Sequence, residues 1–241
     1  MDVKILITGS TGRLGKEITK LFPDALCPTE KELNIINDSS IQAYTSKHKP
    51  DVVIHLAAMT SAEECEKNKE LAWKVNVEGT ENLLKSTIAA NPNIYFLYTS
   101  TAGVFSGDEG DYNENSKTNP SNYYCQTKLA AEERIKNYKN VCIARSNFVP
   151  RGPWPHPKAF TDRYGTYLFA SGLAKAIKEI VIARAKGILH ITGDKKLSMF
   201  ELAKITTPNV LPMKLSEYVG PKLPVDLSLR STRWKTYSLN D

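Results

Sequence analysis

Tyr124 and Lys128 stand four apart in Tyr124-Cys125-Gln126-Thr127-Lys128. The residues that follow, Leu129-Ala130-Ala131-Glu132-Glu133, are strong helix formers. Residues four apart share one face of a helix. An ammonium beside a phenol stabilises phenolate, which predicts a Tyr124 pKa below the ordinary value of about 10. A tyrosine tuned in this way exchanges a proton with a carbonyl or alcohol near neutral pH. In a chain with 11 tyrosines such a spacing also arises by chance. Two further features give it weight: a hydroxyl cluster upstream, Thr99-Ser100-Thr101, and a glycine loop near the N-terminus.

The apolar run Val3–Thr8 leads into Gly9-Ser10-Thr11-Gly12-Arg13-Leu14-Gly15, which closes at the start of a helical pattern. Glycines at this spacing permit a tight turn and let a diphosphate approach the backbone, where the helix start supplies free N–H groups. In dinucleotide folds an acid about 20 positions further on binds the adenosine ribose. Here that stretch reads Ala25-Leu26-Cys27-Pro28-Thr29-Glu30, and no carboxylate ends the strand cleanly. Without the acid there is no repulsion against a 2′-phosphate, and Arg13 can help to neutralise one. The balance tips slightly to NADP(H) over NAD(H), with Glu30 as the residue that would reverse it.

The elements around these residues alternate. Strands are expected at Val3–Thr8, Ala25–Cys27 (weak), Val52–Leu56, Ile94–Thr99, Val141–Arg145 and Ile188–Thr192. Helices are expected at Leu14–Phe22, Ser39–His48 with a Ser N-cap, Glu66–Ala89, Tyr123–Tyr138, Ala170–Ala185 and from Ser198. The strands are continuous apolar runs, as a parallel sheet buried on both faces requires. The fold class is therefore α/β, a doubly wound parallel sheet of Rossmann type. The rhythm stops after Arg145, where Pro150, Pro153, Pro155 and Pro157 punctuate one loop. The expected division is a dinucleotide-binding unit over 1–145, and a mixed segment over 146–241, mainly substrate-binding, with some elements returning to the core. Lys214–Asp241 reads as a polar tail.

With 241 residues, 41% hydrophobic and 24% charged, the composition is that of a globular protein. No apolar run of about 18 residues predicts a membrane span, and the N-terminal run is too short for a signal peptide. The net charge of +6 is scattered, which fits a small anionic ligand better than nucleic acid. Cys27, Cys65, Cys125 and Cys142 form no metal or redox spacing, so reduced thiols and a cytoplasmic location are expected. Cys125 is expected to pack rather than react. The histidines show no metal spacing either, and no metal site is expected.

Together, Gly9-x-x-Gly12-x-x-Gly15, Thr99-Ser100-Thr101 and Tyr124-x-x-x-Lys128 resemble the extended short-chain dehydrogenase/reductase family, and within it the dTDP-4-dehydrorhamnose reductase branch. His55-Leu56-Ala57-Ala58, Asn34-Ile35 and Asn76 in Val75-Asn76-Val77-Glu78-Gly79 match further family segments. So do Lys49-Pro50-Asp51-Val52-Val53-Ile54, Leu71-Ala72-Trp73-Lys74, Asp162-Arg163-Tyr164-Gly165 and Leu229-Arg230-Ser231-Thr232-Arg233. The resemblance implies an NAD(P)-dependent reductase of a nucleotide-linked keto-sugar. Thr101, Tyr124 and Lys128 would be catalytic. Gly9, Thr11, Gly12, Arg13, Leu14, Gly15, Asn34, Ile35, Leu56, Ala57, Ala58, Asn76, Thr99 and Ser100 would hold the cofactor together with Tyr124 and Lys128. A homodimer is left open.

The chain departs from the family pattern at Ala102-Gly103, where Asp-Tyr is common, and at Phe148, where a tryptophan is expected. The substrate region also reads as shortened near the proline-rich loop. Ala102-Gly103 argues against a 4,6-dehydratase, which needs an acid and base there. A nucleotide-sugar epimerase stays open. So does a non-catalytic NADP-binding regulatory subunit, a role the fold plays in methionine adenosyltransferase. Arg145, Arg151, Arg230 and Arg233 are candidates for a substrate diphosphate, although each reads more simply as a structural or surface arginine. Trp154 and His156 are treated in the same way.

Overall fold

Four short apolar segments make the centre of the sheet. In the computed structural model they are β1 (Ile5–Thr8), β2 (Val52–His55), β3 (Tyr95–Thr101) and β4 (Val141–Val149), paired in that order and all parallel. The structure describes residues 3–220 and 223–239; Met1, Asp2 and parts of the polar tail (Pro221, Lys222, Asn240, Asp241) lie outside the described residues. The expected second strand at Ala25–Cys27 is reduced to one bridge, Leu6 to Leu26, on the free edge of β1. Pro28 follows within two residues and cannot donate to a ladder.

Alternate residues of each strand enter opposite cores. Ile7, Val52, Ile54, Leu97 and Cys142 face one layer, made by α1 (Gly15–Leu21) and α7 (Ala170–Ala183). Leu6, Val53, Phe96 and Ile143 face the other, made by α2 (Asp38–His48), α5 (Gly79–Ala90) and α6 (Tyr123–Ile135). The sheet is thus buried on both sides, and the fold is a doubly wound, Rossmann-type α/β sheet.

Three further elements differ from expectation. Asn37, not Ser39, caps α2: Ser40 N–H donates to Asn37 Oδ1 at 3.0 Å, while Ser40 Oγ accepts from Asn34 N–H. The run expected as one helix over Glu66–Ala89 is broken into α3 (Ala62–Lys67), α4 (Lys69–Trp73) and α5, with a π turn at Lys74–Glu78. Asn68, at φ −124° and ψ 58°, interrupts it, and the wide turn carries Asn76 inward.

β4 runs four residues past Arg145. Its far edge is laddered twice, by β8 (Gly187–Ile191) along Cys142–Ser146 and by β7 (Tyr167–Phe169) along Asn147–Val149. Ser146 is laddered on both edges, by β3 and β8, and Asn147 by β7, which keeps these polar residues in strand form.

The remaining elements are small. β5 (Lys158–Phe160) pairs parallel to β10 (Leu211–Met213), and β6 (Tyr164–Gly165) pairs antiparallel to β9 (Leu197–Ser198). α8 (Met199–Thr206) opens on a capping box between Ser198 and Glu201. Among the described residues no helix is long and apolar enough to cross a membrane.

Candidate active site

The glycine loop leaves β1 with Gly9 at φ +70°, a conformation L side chains rarely adopt. A Cβ there would stand 2.7 Å from Ala57 N, and one on Gly15 would overlap Gly9 O. Both glycines are therefore required by contact. Gly12 N–H donates to Gly9 O at 3.0 Å and closes the turn, and buried Leu14 anchors it to the α1 core. Thr11, Gly12 and Arg13 are left exposed.

Opposite lies the segment Leu56–Met59, fixed by a buried relay. Thr80 Oγ1 donates to Asn76 O, so it must accept from His55 Nε2–H at 2.9 Å. His55 Nδ1 then accepts from Thr8 Oγ1 at 2.7 Å, and Thr8 Oγ1 accepts from Ala57 N–H. Burial, with the Lys128 charge adding, brings the His55 pKa down to about 3 and keeps the ring neutral. Asn76 donates to Met59 O and Thr127 Oγ1 and accepts from Met59 N–H. Its amide is thus engaged in holding the loop against α6. Asn34 and Ile35 lie half-buried on the turn before α2.

The hydroxyls at the end of β3 divide. Thr99 Oγ1 donates to His55 O at 3.1 Å, and Ser100 Oγ donates to the Glu132 carboxylate. Thr101 Oγ1 accepts from Gly103 N–H at 3.0 Å, which leaves its own hydrogen to donate elsewhere. Gly103 packs directly on Cys125, the residue after Tyr124, so the strand end and the start of α6 meet here. A side chain at position 103 would overlap Cys125 Sγ, which accounts for a glycine where the family carries a tyrosine.

α6 is capped by Asn122 Oδ1, which accepts from Cys125 N–H. Tyr124 is half-buried on its first turn. Lys128 is buried, its Nζ 4.1 Å from the centre of the Tyr98 ring. Burial lowers the Lys128 pKa to about 7, opposed by Glu132 one turn further along. The expected depression of Tyr124 is not what the protein alone produces. Burial pushes its phenol up, and the Cys125 and Cys65 thiols push the same way. The Lys128 ammonium, itself disfavoured by burial, is not among the groups acting on that phenol. Cys125 is buried and its thiol is pushed up to about 11, so it is no nucleophile.

The candidate arginines have other partners. Arg145 is buried and bonded to Glu132 through Nε and Nη2, the latter at 2.6 Å. Arg151 lies over the Phe169 ring, Arg230 pairs with Asp111, and Arg233 reaches Asn115. Trp154 Nε1 donates to Lys158 O, and its ring meets His156 edge-on. Phe148 is partly exposed.

A cleft of about 590 Å³ opens beneath the proline-rich loop. It runs from Arg13 of the glycine loop to Trp154, Phe160 and Tyr218, and Arg163 lies in its wall. In the sequence Arg163 is one residue of a matching segment. Only the approach of β5, α8 and the tail reveals it as part of a cavity.

Comparison with known proteins agrees with this geometry. The family model of the RmlD substrate binding domain matches residues 3–151. The dTDP-4-dehydrorhamnose reductase of Aggregatibacter actinomycetemcomitans is 27% identical over 248 residues, covering 90% of this chain and 82% of that protein. Methionine adenosyltransferase 2 subunit beta of Xenopus laevis is 32% identical over 154 residues, 59% of this chain; the match spans only 46% of that relative's length. Among solved structures, dTDP-4-dehydrorhamnose reductase of Bacillus anthracis in complex with NADP superposes with a TM-score of 0.87 at 26% identity, covering 95% of this chain and 91% of that one. The match over residues 3–151, more than half of the chain, leads to one conclusion: the chain belongs to the RmlD substrate binding domain family.

Proposed function

We propose that this protein is an NADP(H)-dependent reductase of a nucleotide-linked keto-sugar, similar to dTDP-4-dehydrorhamnose reductase. The observation that carries the reading is the packing of the Thr101–Gly103 strand end on Cys125, in the first turn of α6, at the C-terminal end of the parallel strands, the end from which the glycine loop leaves β1. The fit of a dinucleotide rests on the loop itself. Gly9 and Gly15 let the loop close tightly against Ala57 and Ser10, and Thr11, Gly12 and Arg13 are left exposed at the start of α1, as a diphosphate-binding turn requires.

In this reading Thr11, Arg13 and Leu14 border the cofactor's diphosphate. Leu56, Ala57, Ala58, Thr99 and Ser100 line its length, Asn34 and Ile35 flank the adenine, and Asn76 holds the Leu56–Met59 wall in place. Preference for NADP(H) follows from the edge by Leu26, where Cys27 is exposed and no carboxylate closes the strand. The nearby Glu32 carboxylate is already bonded to Thr29.

Bound nicotinamide supplies a hydride to the carbonyl carbon. As negative charge grows on the carbonyl oxygen, Tyr124 Oη donates its proton to that atom. Thr101 Oγ1–H donates a hydrogen bond to the same oxygen. Lys128 holds the ribose. In its charged form the Lys128 ammonium would favour the Tyr124 phenolate.

Replacing Tyr124 by Phe is expected to lower turnover by about 10²–10⁴-fold, the contribution of a positioned general acid. NADPH affinity should stay within about twofold, a change worth less than RT. Measured turnover equal to the parent protein would sink the assignment. A second reading, a cofactor-binding regulatory subunit, is favoured by the 32% identity to a methionine adenosyltransferase subunit. It predicts tight NADPH binding with no turnover on any nucleotide-linked keto-sugar.

A further inference from the structure

Arg163 stands between β5 and β6 and is largely buried. Its Nε donates to Pro224 O at 3.1 Å, and its Nη1 meets only the thioether of Met199, a weak acceptor. The acids nearest in sequence and contact are engaged elsewhere. Asp162 accepts from Leu215 N–H through both oxygens, and Asp226 is bonded to Lys196 and to Ser228 N–H. The groups acting on Arg163 are the phenols of Tyr167 and Tyr218 and the Cys125 thiol, while burial lowers its pKa. A buried guanidinium with no carboxylate is costly to hold. Its remaining N–H donors belong to a side chain in the wall of the cleft.

The cleft has one sign of charge. Arg13, Lys158 and Arg163 line it, and among the described residues no carboxylate does, although Lys158 also pairs with Glu217 at 3.8 Å. Its other walls are aromatic rings and prolines, among them Trp154, Phe160 and Tyr218. Cations set among flat apolar surfaces suit an anion joined to a planar ring and a sugar. At about 590 Å³ it lies within the range of small-molecule sites. Arg13 is among its lining residues, so the cleft reaches the glycine loop. The arginines suggested by sequence are paired or stacked, and Arg163 is a guanidinium in the cleft wall with no anionic partner among the described residues.

We infer that Arg163 is the diphosphate anchor of a nucleotide-linked substrate, its guanidinium gripping phosphate oxygens within this cleft. The inference rests on the reductase reading for the identity of the substrate. The fork of an arginine matches two phosphate oxygens at once, which a lysine cannot reproduce. The cofactor's own diphosphate belongs at the glycine loop, so the two anions are separable by mutation.

The test is calorimetric titration of the full chain with thymidine diphosphate, guanosine diphosphate, the two free nucleosides and NADPH. The parent protein should bind at least one diphosphate more tightly than its nucleoside. R163Q should weaken that diphosphate by about ten- to a hundredfold, the loss expected for hydrogen bonds to a charged group. Nucleoside and NADPH binding should stay within about twofold, below RT in free energy. R163K should fall between the two, and it carries the same test if R163Q does not fold. Unchanged diphosphate affinity in a folded variant overturns the inference, as does a parent protein that binds neither diphosphate. If R163Q binds diphosphate normally while Tyr124-dependent turnover persists, the anchor fails and the reductase reading stands. If diphosphate binding depends on Arg163 but no keto-sugar is reduced, the reading fails and the anchor stands.

Discussion

Lys128 carries the chemistry and a cost to the fold together. Its folded pKa of about 7 lies below the ordinary lysine value of about 10.4. Between those values the unfolded chain binds more protons than the folded one, so this group's contribution to stability rises with pH. Below about pH 7 both states are charged and the full burial cost is present. Lys128→Met is therefore expected to be more stable than the parent at pH 6, with the advantage shrinking by pH 9. Urea unfolding at the two pH values checks this; an advantage that grows with pH contradicts it. That Tyr124 and Lys128 stand on one helix was legible in the sequence, because strong helix formers follow them. The Tyr124 pKa was not, because burial depends on what packs around α6. Arg163 was illegible for the same reason: only tertiary approach shows that its fork lacks an anionic partner.

At the scale of elements, the contact between the end of β3 and α6 is a paired choice of residues. A methyl group on Gly103 would overlap Cys125 Sγ. Gly103→Ala should destabilise by roughly 1–3 kcal/mol, the usual cost of overpacking. Cys125→Ala on the same background should recover much of it, with a coupling of about 0.5–3 kcal/mol in a double-mutant cycle. Additive effects across the four proteins would show that the two residues do not share this contact. The glycine loop could be read in advance because Gly9 and Gly15 are demanded by local backbone geometry. The helical run over Glu66–Ala89 was misread because its break at Asn68 and π turn at Lys74–Glu78 leave the helical composition intact. Asn76, which bonds Met59 and Thr127 across the fold, shows what that turn accomplishes. β4 outran its expected end at Arg145 because β7 and β8 arrive from far along the chain to ladder it.

Across the whole molecule, a carboxylate joins the backbone bridges that tie the tail back. Buried Glu114 accepts from His190 N–H, Ser231 Oγ, Thr232 N–H and Thr232 Oγ1. Burial alone would raise its pKa; these hydrogen bonds outweigh it and bring it down to about 2. With the folded value below the unfolded one, its stabilisation is present above about pH 4.3 and is lost as the pH falls toward 2. Glu114→Gln should therefore lower the melting temperature at pH 6, and the gap from the parent should close as the pH drops through that window. A gap independent of pH would contradict the account. The same tail and the proline-rich loop shape the cleft beside the cofactor cradle, so the claim for the molecule is that a dinucleotide and a nucleotide-linked keto-sugar meet at Tyr124. The direct measurement is NADPH consumption by the parent protein given a dTDP-linked 4-keto-6-deoxy sugar, with the sugar product analysed. The account predicts one NADPH consumed for each carbonyl reduced to an alcohol. Tight NADPH binding with no consumption, on this sugar and its counterparts on other nucleotides, would contradict it.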